Sequence, residues 1–250
     1  MNVKDKVVMI TGAGGGLGSE MARVLCDNGA KVIVVDLNEE QGRAVAEGIV
    51  ATGGEAWFIR ADVTSEADWK AAVDFAVEKG GRLDVLVNNA GINIRKPVEE
   101  MNIDEWMTMM KVNTGSVFLG CKYAIPVMRR QGGGAIINTS SVCGLVGHKS
   151  TPETYTATKG AVTMLTKAIA SRYAKDGIRS NSIHPSTVDT PLVRERLKDP
   201  QFRAERVGEV PLGRLATAAD VANAVLYLAS EEAGFLNGVA LPVDGGVTCY

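Results

Sequence analysis

Val7-Val8-Met9-Ile10-Thr11-Gly12-Ala13-Gly14-Gly15-Gly16-Leu17-Gly18 is the stretch that decides the fold. Its first five residues carry no charge and do not alternate with polar ones. A strand built from them is buried on both faces, as in a parallel sheet covered by helices. The glycines then fall where such a strand hands over to a helix, and the amphipathic stretch Ser19–Asn28 follows.

Outward from this unit the same alternation repeats. Further strand-like runs are Lys31–Val35, Ala56–Ile59, Val85–Val87, Ala135–Thr139, Ile178–Ile183 and Val239–Val243. Between them lie helical patterns at Glu39–Ala51, Glu66–Lys79, Ile103–Arg130, Tyr155–Lys175 and Ala218–Ser230. Asp27-Asn28-Gly29 and Asp176-Gly177 supply helix C-caps, and Thr64 or Ser65 an N-cap. Gly132-Gly133-Gly134 reads as a tight helix-to-strand turn, and no linker or repeat interrupts the pattern. Residues 1–250 therefore read as a single α/β domain. Its expected architecture is a doubly wound, seven-stranded parallel sheet with helices on both faces and right-handed crossovers.

Composition narrows the function classes. The net charge of -2 gives no basic excess for nucleic acid, and no apolar run approaches the ~20 residues that span a bilayer. The N-terminal residues lack a signal-peptide pattern. Cys26, Cys121, Cys143 and Cys249 are scattered without a CxxC, and only His148 and His184 could join a metal set. The expectation is a cytoplasmic, metal-free protein with reduced thiols.

The glycine turn spaces Gly12, Gly16 and Gly18 as G-x-x-x-G-x-G. A turn without Cβ atoms, followed by a helix N-terminus with free N–H groups, suits a pyrophosphate. Alone it could be merely a structural turn; the flanking strand and helix favour a dinucleotide. Asp36 ends the second strand. A carboxylate there can accept hydrogen bonds from ribose hydroxyls and repels a 2′-phosphate, although it could also cap the next helix. No Arg or Lys stands at residues 12–18 or 37–42, so NAD is expected rather than NADP.

Tyr155 and Lys159 lie four residues apart, on one face of a helix. A free phenol titrates near 10, and a fixed positive charge lowers that value. With Thr11–Gly18, Asp62-Val63, Asn88–Gly91, Asn113, Ser141, Pro185 with Thr190, and Asp244-Gly245-Gly246, the whole chain closely resembles the short-chain dehydrogenase/reductase family of Rossmann-type enzymes. The resemblance implies hydride transfer between a secondary alcohol or ketone and NAD. It makes Tyr155 the acid/base and Ser141 the partner of the substrate oxygen. Lys159 lowers the Tyr155 pKa and holds the nicotinamide ribose, and Asn113 anchors a water in the proton path. Gly12, Gly16, Leu17, Gly18 and Asp36 take the adenosine and pyrophosphate, Asp62 and Val63 the adenine. Asn89, Ala90 and Gly91 take the sugar–phosphate region, and Pro185, Val188 and Thr190 the carboxamide. Cys143 joins Ser141 and Tyr155 in the substrate site. A homotetramer is also implied.

Two departures from the family pattern stand out. Ser186 follows Pro185 where glycine is usual, and the serine-to-tyrosine interval is one residue longer than usual. Ser141 fits the spacing better, and Ser140 would then bond local backbone. His148, which could line the substrate mouth, is read instead as an exposed loop residue, and His184 as scaffold. Met107, Met109 and Met110 are read as core or subunit-interface residues. Arg129, Arg130 and Arg172 are helix-end charges or, alternatively, a docking patch for an acidic carrier protein. Ile92, Ile94, Val142, Cys143, Leu145, Val188 and Leu192 suggest an apolar pocket for a small cyclic or aliphatic alcohol. The other readings are a 3-oxoacyl-carrier-protein reductase and a non-catalytic dinucleotide binder.

Overall fold

The computed structural model describes residues 1–249, except for the side chains of Pro191 and Leu192. The strands are β1 (Val7–Thr11), β2 (Lys31–Asp36), β3 (Ala56–Arg60), β4 (Val85–Asn88), β5 (Gly134–Thr139), β6 (Ile178–Pro185) and β7 (Ala240–Val243). They form one parallel sheet in the order β3-β2-β1-β4-β5-β6-β7, the expected seven-stranded architecture. The uncharged run of β1 is buried throughout, because both of its faces are covered.

The period of two divides each strand between two cores. Val8, Ile10, Val32, Val34, Val85 and Val87 pack with Met21 and Leu25 of α1 (Gly16–Asp27) and with Val221, Val225 and Leu226 of α9 (Ala218–Ala229). Val7, Met9, Ile33, Val35 and Leu86 face the other way. They meet Trp69, Ala72 and Ala76 of α3 (Glu66–Gly80), Val117 and Cys121 of α5 (Ser116–Arg130), and Val162 of α6 (Glu153–Tyr173). On the first side, α2 (Glu39–Ala51) adds Ala46 and Ile49.

Strand order reverses between β1 and β4. The loops leaving their C-terminal ends diverge there, opening the crevice in which doubly wound sheets hold ligands. Thr11 ties the two loops together: its Oγ1 accepts from the backbone N–H groups of Asn89 (3.0 Å) and Ala90 (3.1 Å).

The helical pattern at Ile103–Arg130 is not one helix. It runs as α4 (Ile103–Met110), a π-turn at Lys111–Gly115, and then α5. Such bulges re-aim one side chain, and here that side chain is Asn113. The loop after β6 holds two helices absent from the sequence reading, α7 (Pro191–Leu197) and α8 (Pro200–Gly208). Their signals were Thr190-Pro191 and Asp199-Pro200, a cap residue followed by proline at the first helical position. Asp199 does cap α8, accepting from Gln201 N at 2.9 Å. Among the described residues no helix is long and apolar enough to cross a membrane.

Candidate active site and cofactor crevice

A cavity of about 470 Å³ opens at the C-terminal ends of β1, β4, β5 and β6. Gly12, Gly15, Gly16 and Leu17 form one wall, Asn89 to Asn93 another, and Thr139 to Cys143 with Tyr155 and Lys159 a third. Pro185 to Val188 and Thr190 close it from β6.

The glycines of the turn divide into two kinds. A Cβ on Gly15 or Gly16 would meet nothing within 4 Å, so both present bare backbone to the cavity. Gly15 also caps α1 without any side-chain hydrogen bond, which leaves the first N–H groups of the helix free of side-chain acceptors. A diphosphate fits this cradle. Gly12 and Gly18 are needed for packing instead. Gly12 has φ +63, and its Cβ would come within 2.9 Å of Ala90 Cα. A Cβ on Gly18 would come within 2.2 Å of Gly12 O, and Gly18 does not line the cavity. Gly15 and Gly16 thus leave open backbone where a pyrophosphate could lie, whereas Gly12 and Gly18 are required by packing. Gly15 was not singled out from the sequence.

Asp36 Oδ2 accepts from Gly14 N (2.7 Å) and Oδ1 from Asn38 N (2.8 Å), which aims the carboxylate at the glycine turn. It does not cap the next helix. Asn38 does that, accepting from Gln41 N at 3.0 Å. The nearest following cation, Arg43, is bonded to Glu39 (2.7 Å) and lies over the Phe58 ring at 5.4 Å. Asp62 is held locally through one oxygen: bonds from Thr64 N and Oγ1 to Oδ1 hold its carboxyl below the usual range. Val63 offers its carbonyl to Trp69 Nε1 at 2.9 Å. Neither residue reaches the cavity wall. Asn89 braces β4 against β1, donating from Nδ2 to Thr11 O (3.0 Å) and Gly12 O (3.2 Å).

At the other end of the crevice, Ser141, Tyr155 and Lys159 converge. Ser141 ends the β5 loop in an extended conformation and caps the short turn Val142–Gly144, its Oγ accepting from Cys143 N at 3.2 Å. Tyr155 and Lys159 come from the first turns of α6, and Lys159 is only 4% exposed. The Lys159 ammonium donates to Thr139 O at 2.7 Å and stands 5.6 Å from the centre of the Tyr155 ring.

Asn113 is fully buried. Its amide bridges the loop after β4 to α6, accepting from Ile92 N (2.8 Å) and donating to Ile92 O (2.9 Å) and Thr158 Oγ1 (3.1 Å). A Cβ on Gly91 would meet Asn113 Oδ1 at 3.3 Å and Lys159 Nζ at 3.6 Å, which brings these residues into one cluster.

Burial sets the electrostatics of this pair. It pushes the Tyr155 phenol up to about 12, reinforced by Cys143 and opposed by a hydrogen bond with Ser141. It also brings the Lys159 ammonium down to about 8. Burial, not Lys159, dominates the phenol in this structure. Desolvation penalises both charged forms, and the ammonium is directed at a carbonyl rather than at the phenol oxygen.

A family model described as enoyl-(acyl carrier protein) reductase matches residues 12–248. The cyclopentanol dehydrogenase of Comamonas sp. is 44% identical over 246 residues, covering 98% of each chain. The cyclohexanol dehydrogenase of Acinetobacter sp. is 42% identical over 245 residues, covering 98% of this chain and 95% of that one. The crystal structure of levodione reductase superposes with a TM-score of 0.93 at 35% identity, covering 99% of both chains. The chain belongs to the short-chain dehydrogenase/reductase family.

As a short-chain dehydrogenase/reductase the protein is an oxidoreductase that works with a nicotinamide dinucleotide. The two serines of this dehydrogenase have different surroundings. Ser140 Oγ is turned away, bonded to Lys159 O at 2.9 Å and lying 3.2 Å from Thr163 Oγ1, whereas Ser141 faces the Tyr155 side. Ser186, in place of the usual glycine, lines the cavity with a buried Oγ that has no partner.

His184 is completely buried, with Nδ1 2.8 Å from Ser141 O and Nε2 2.8 Å from Ser182 Oγ. The carbonyl can only accept, so Nδ1 carries the proton, and this scaffold residue holds the Ser141 backbone. His148 corrects an expectation. It lies half-buried on the cavity wall, 3.3 Å from Glu209 Oε2, because α8 folds back over its loop.

The apolar pocket has a partly different lining from the one expected. Ile92, Val142, Cys143 and Val188 line the cavity; Ile94 and Leu145 do not, and the Leu192 side chain lies outside the described residues. Val193, Phe202 and Val210, with polar residues of the β5–α6 loop and α8, complete the wall. Met109 is fully buried, while Met107 is 57% exposed.

Proposed function

We propose that the protein is an NAD-dependent dehydrogenase of small secondary alcohols, cyclic ones foremost, with Tyr155 as its acid/base. The observation that carries this reading is the convergence of Ser141, Tyr155 and Lys159 on one buried wall, with Ser140 diverted into the scaffold. The names of the relatives, which act on cyclopentanol and cyclohexanol, supply the substrate class.

In oxidation, Tyr155 Oη takes the hydroxyl proton as the carbinol carbon gives up hydride; in ketone reduction it returns that proton. Ser141 Oγ donates to the substrate oxygen and stabilises the charge that develops there. Lys159 has two N–H groups beyond its bond to Thr139, enough for a ribose hydroxyl. Asn113 orders the water through which Lys159 exchanges protons with solvent. The nicotinamide dinucleotide supplies the hydride acceptor in oxidation and the hydride donor in reduction. Gly15, Gly16 and Leu17 hold its diphosphate, and Asp36 its adenosine ribose. Pro185, Val188 and Thr190 hold the carboxamide.

A screen of NADH formation with cyclic, aliphatic, polyol and steroid alcohols tests the reading; silence across all four classes would overturn it. Asp36 gives a second test. Catalytic efficiency with NAD should exceed that with NADP by at least about tenfold, some 1.4 kcal/mol. Asp36→Ala combined with Leu37→Arg should narrow or reverse the ratio, since it exchanges a ribose acceptor for a phosphate partner. Equal use of both cofactors by the unmodified enzyme would remove the case for Asp36.

The carrier-linked alternative has the description of the family model in its favour. Against it, Arg129 is bonded to Asp176 at 2.8 Å and stacked on Tyr173, leaving it poorly placed to receive an acidic partner. A non-catalytic binder would have no use for a buried ammonium beside a buried phenol.

We place the protein in the cytoplasm, in keeping with its four free cysteines. We also propose a homotetramer. Ile103, Met107, Phe118 and Met164 expose between 54% and 70% of their surface on the neighbouring helices α4, α5 and α6, a cost that subunit burial removes. Light scattering should give four times the 26.4 kDa chain mass, and a monomer would refute the assembly.

A further inference from the structure

The cavity wall carries an excess of positive charge. Arg95, Arg196 and Arg206 line it, and among the described residues that do so Glu209 is the one acid. Glu209 is already engaged: its Oε1 takes Arg206 at 2.9 Å, and its Oε2 lies 3.3 Å from His148 Nε2. His148 Nδ1 accepts from Ser150 N at 3.2 Å, so the neutral ring carries its proton on Nε2, toward Glu209. The imidazole thus adds no negative charge, and protonating it only enlarges the excess.

Arg196 is left without an acid for a local reason: the acids around it on α7 and α8 are committed elsewhere. Glu195 bonds Lys198 at 2.7 Å and Asp189 bonds Arg194 at 2.9 Å. Asp199 caps α8 through Gln201 N and Phe202 N. Arg196 stacks instead on Phe202, its guanidinium carbon 4.3 Å from the ring centre, and Arg206 stands against the same ring at 5.3 Å. Stacking occupies the face of a guanidinium and leaves its N–H edge for a planar acceptor. On Arg206 the bonds to Ser150 Oγ and to Glu209 both fall on Nη2. Among the described residues Nη1 has no partner, and unlike Nε it is not sealed from solvent. Two guanidiniums held against one ring repel each other, and an anion beside them removes that cost.

The same segment supplies Val193, Phe202 and Val210 as apolar wall for a hydrocarbon ring. The reacting end is close by. Thr151 Oγ1 lies 3.4 Å from both His148 Nδ1 and Cys143 Sγ, and Cys143 is near enough to Tyr155 to raise its phenol. So few side-chain contacts between Arg206 and Tyr155 suit one substituted ring rather than a long carrier arm. The cofactor diphosphate is the other anion this cavity receives, but its cradle at Gly15, Gly16 and Leu17 belongs to the β1 side, whereas both arginines come from the segment after β6.

We propose that Arg196 and Arg206 form an anion subsite for the substrate, making cyclic secondary alcohols that carry a carboxylate the preferred substrates. The inference rests on the cyclic-alcohol reading above and gives it a charge class.

The test compares kcat/KM, with NAD, for cyclohexanol, 4-hydroxycyclohexanecarboxylate, the matching carboxamide and 4-aminocyclohexanol. The carboxamide keeps the shape and the acceptor oxygen of the carboxylate and removes its charge. The unmodified enzyme should prefer the carboxylate to the carboxamide by about tenfold or more, and should oxidise the ammonium compound least. Rising salt should shrink the preference, because Arg196 is exposed. Arg196→Met keeps a contact with Phe202 and drops the charge, so the ratio should fall to within about threefold. Glu209→Gln removes the competing acid and should raise the ratio. Melting curves identify variants that no longer fold; if Arg206→Met is one of them, Arg196→Met and Glu209→Gln still read the ratio. Equal efficiencies for carboxylate and carboxamide, a ratio that survives Arg196→Met, or a lower ratio in Glu209→Gln would each overturn the subsite. Weaker NADH binding in Arg196→Met with an unchanged ratio would assign that charge to the cofactor and overturn it as well. If cyclohexanol is oxidised without any preference for the carboxylate, the subsite alone falls. If NADH binds but none of the four alcohols is oxidised, the cyclic-alcohol reading itself falls, and the subsite with it.

Discussion

The Tyr155→Phe enzyme is expected to lose at least three orders of magnitude in turnover, on the order of 4 kcal/mol or more, while still binding NADH. Phenylalanine keeps the ring that packs near Lys159 and removes only the oxygen that moves the proton. Binding, read by NADH fluorescence titration, should change little because the diphosphate cradle lies on the far side of the crevice. Lys159→Ala should damage both functions, since it removes a ribose donor together with the charge beside the phenol.

The pH dependence follows from the same burial. With the phenol pushed up to about 12, Tyr155 stays protonated through the neutral range and can donate in ketone reduction without titrating. Alcohol oxidation needs the ionised form, whose fraction grows about tenfold per pH unit below the pKa. Oxidation should therefore climb on the alkaline side while reduction stays flat. The apparent pKa belongs to the Tyr155–Lys159 pair, whose ammonium burial has brought down to about 8. Near-unmodified turnover in Tyr155→Phe, or oxidation that falls as pH rises from neutrality, would defeat the mechanism.

The second large effect separates two adjacent hydroxyls. Ser141→Ala should lower kcat by a factor of about 10² to 10³, as loss of one oxyanion donor does. Ser140→Ala removes bonds to Lys159 O and Thr163 that hold the loop to α6, so its main signature should be a lower melting temperature with kcat within about tenfold. A reversed ranking in kcat would show that the hydroxyl turned into the scaffold is the one that touches substrate.

The sequence could settle these two serines only by counting to Tyr155; the count favoured Ser141 and left Ser140 to bond local backbone, whereas its Oγ bonds Lys159 O, 19 positions away. The structure supplies the reason: Gly144 and Thr163 crowd the Ser140 side, with a Cβ on Gly144 falling 2.4 Å from Ser140 Oγ. Glycine is required at 144 for that approach, a relation between residues brought together by α6.

Local chemistry written in one segment was readable from the chain alone. Uncharged β-branched runs specify buried parallel strands, a glycine turn after such a run specifies a strand-to-helix cradle, and a tyrosine and lysine four apart share a helix face. Each depends on a fixed backbone period and needs no knowledge of distant residues. Tertiary structure decided whatever depends on which segments meet. It gave Gly12 and Gly18 a packing role against Ala90 and Asn89, split Ile103–Arg130 at the π-turn that carries Asn113, and tied up Asp62 with Thr64. It also turned an expected apolar pocket into one with a polar outer end. His148 lies 61 positions from Glu209, and only the folding of α8 over the β5–α6 loop brings the two within 3.3 Å on one wall.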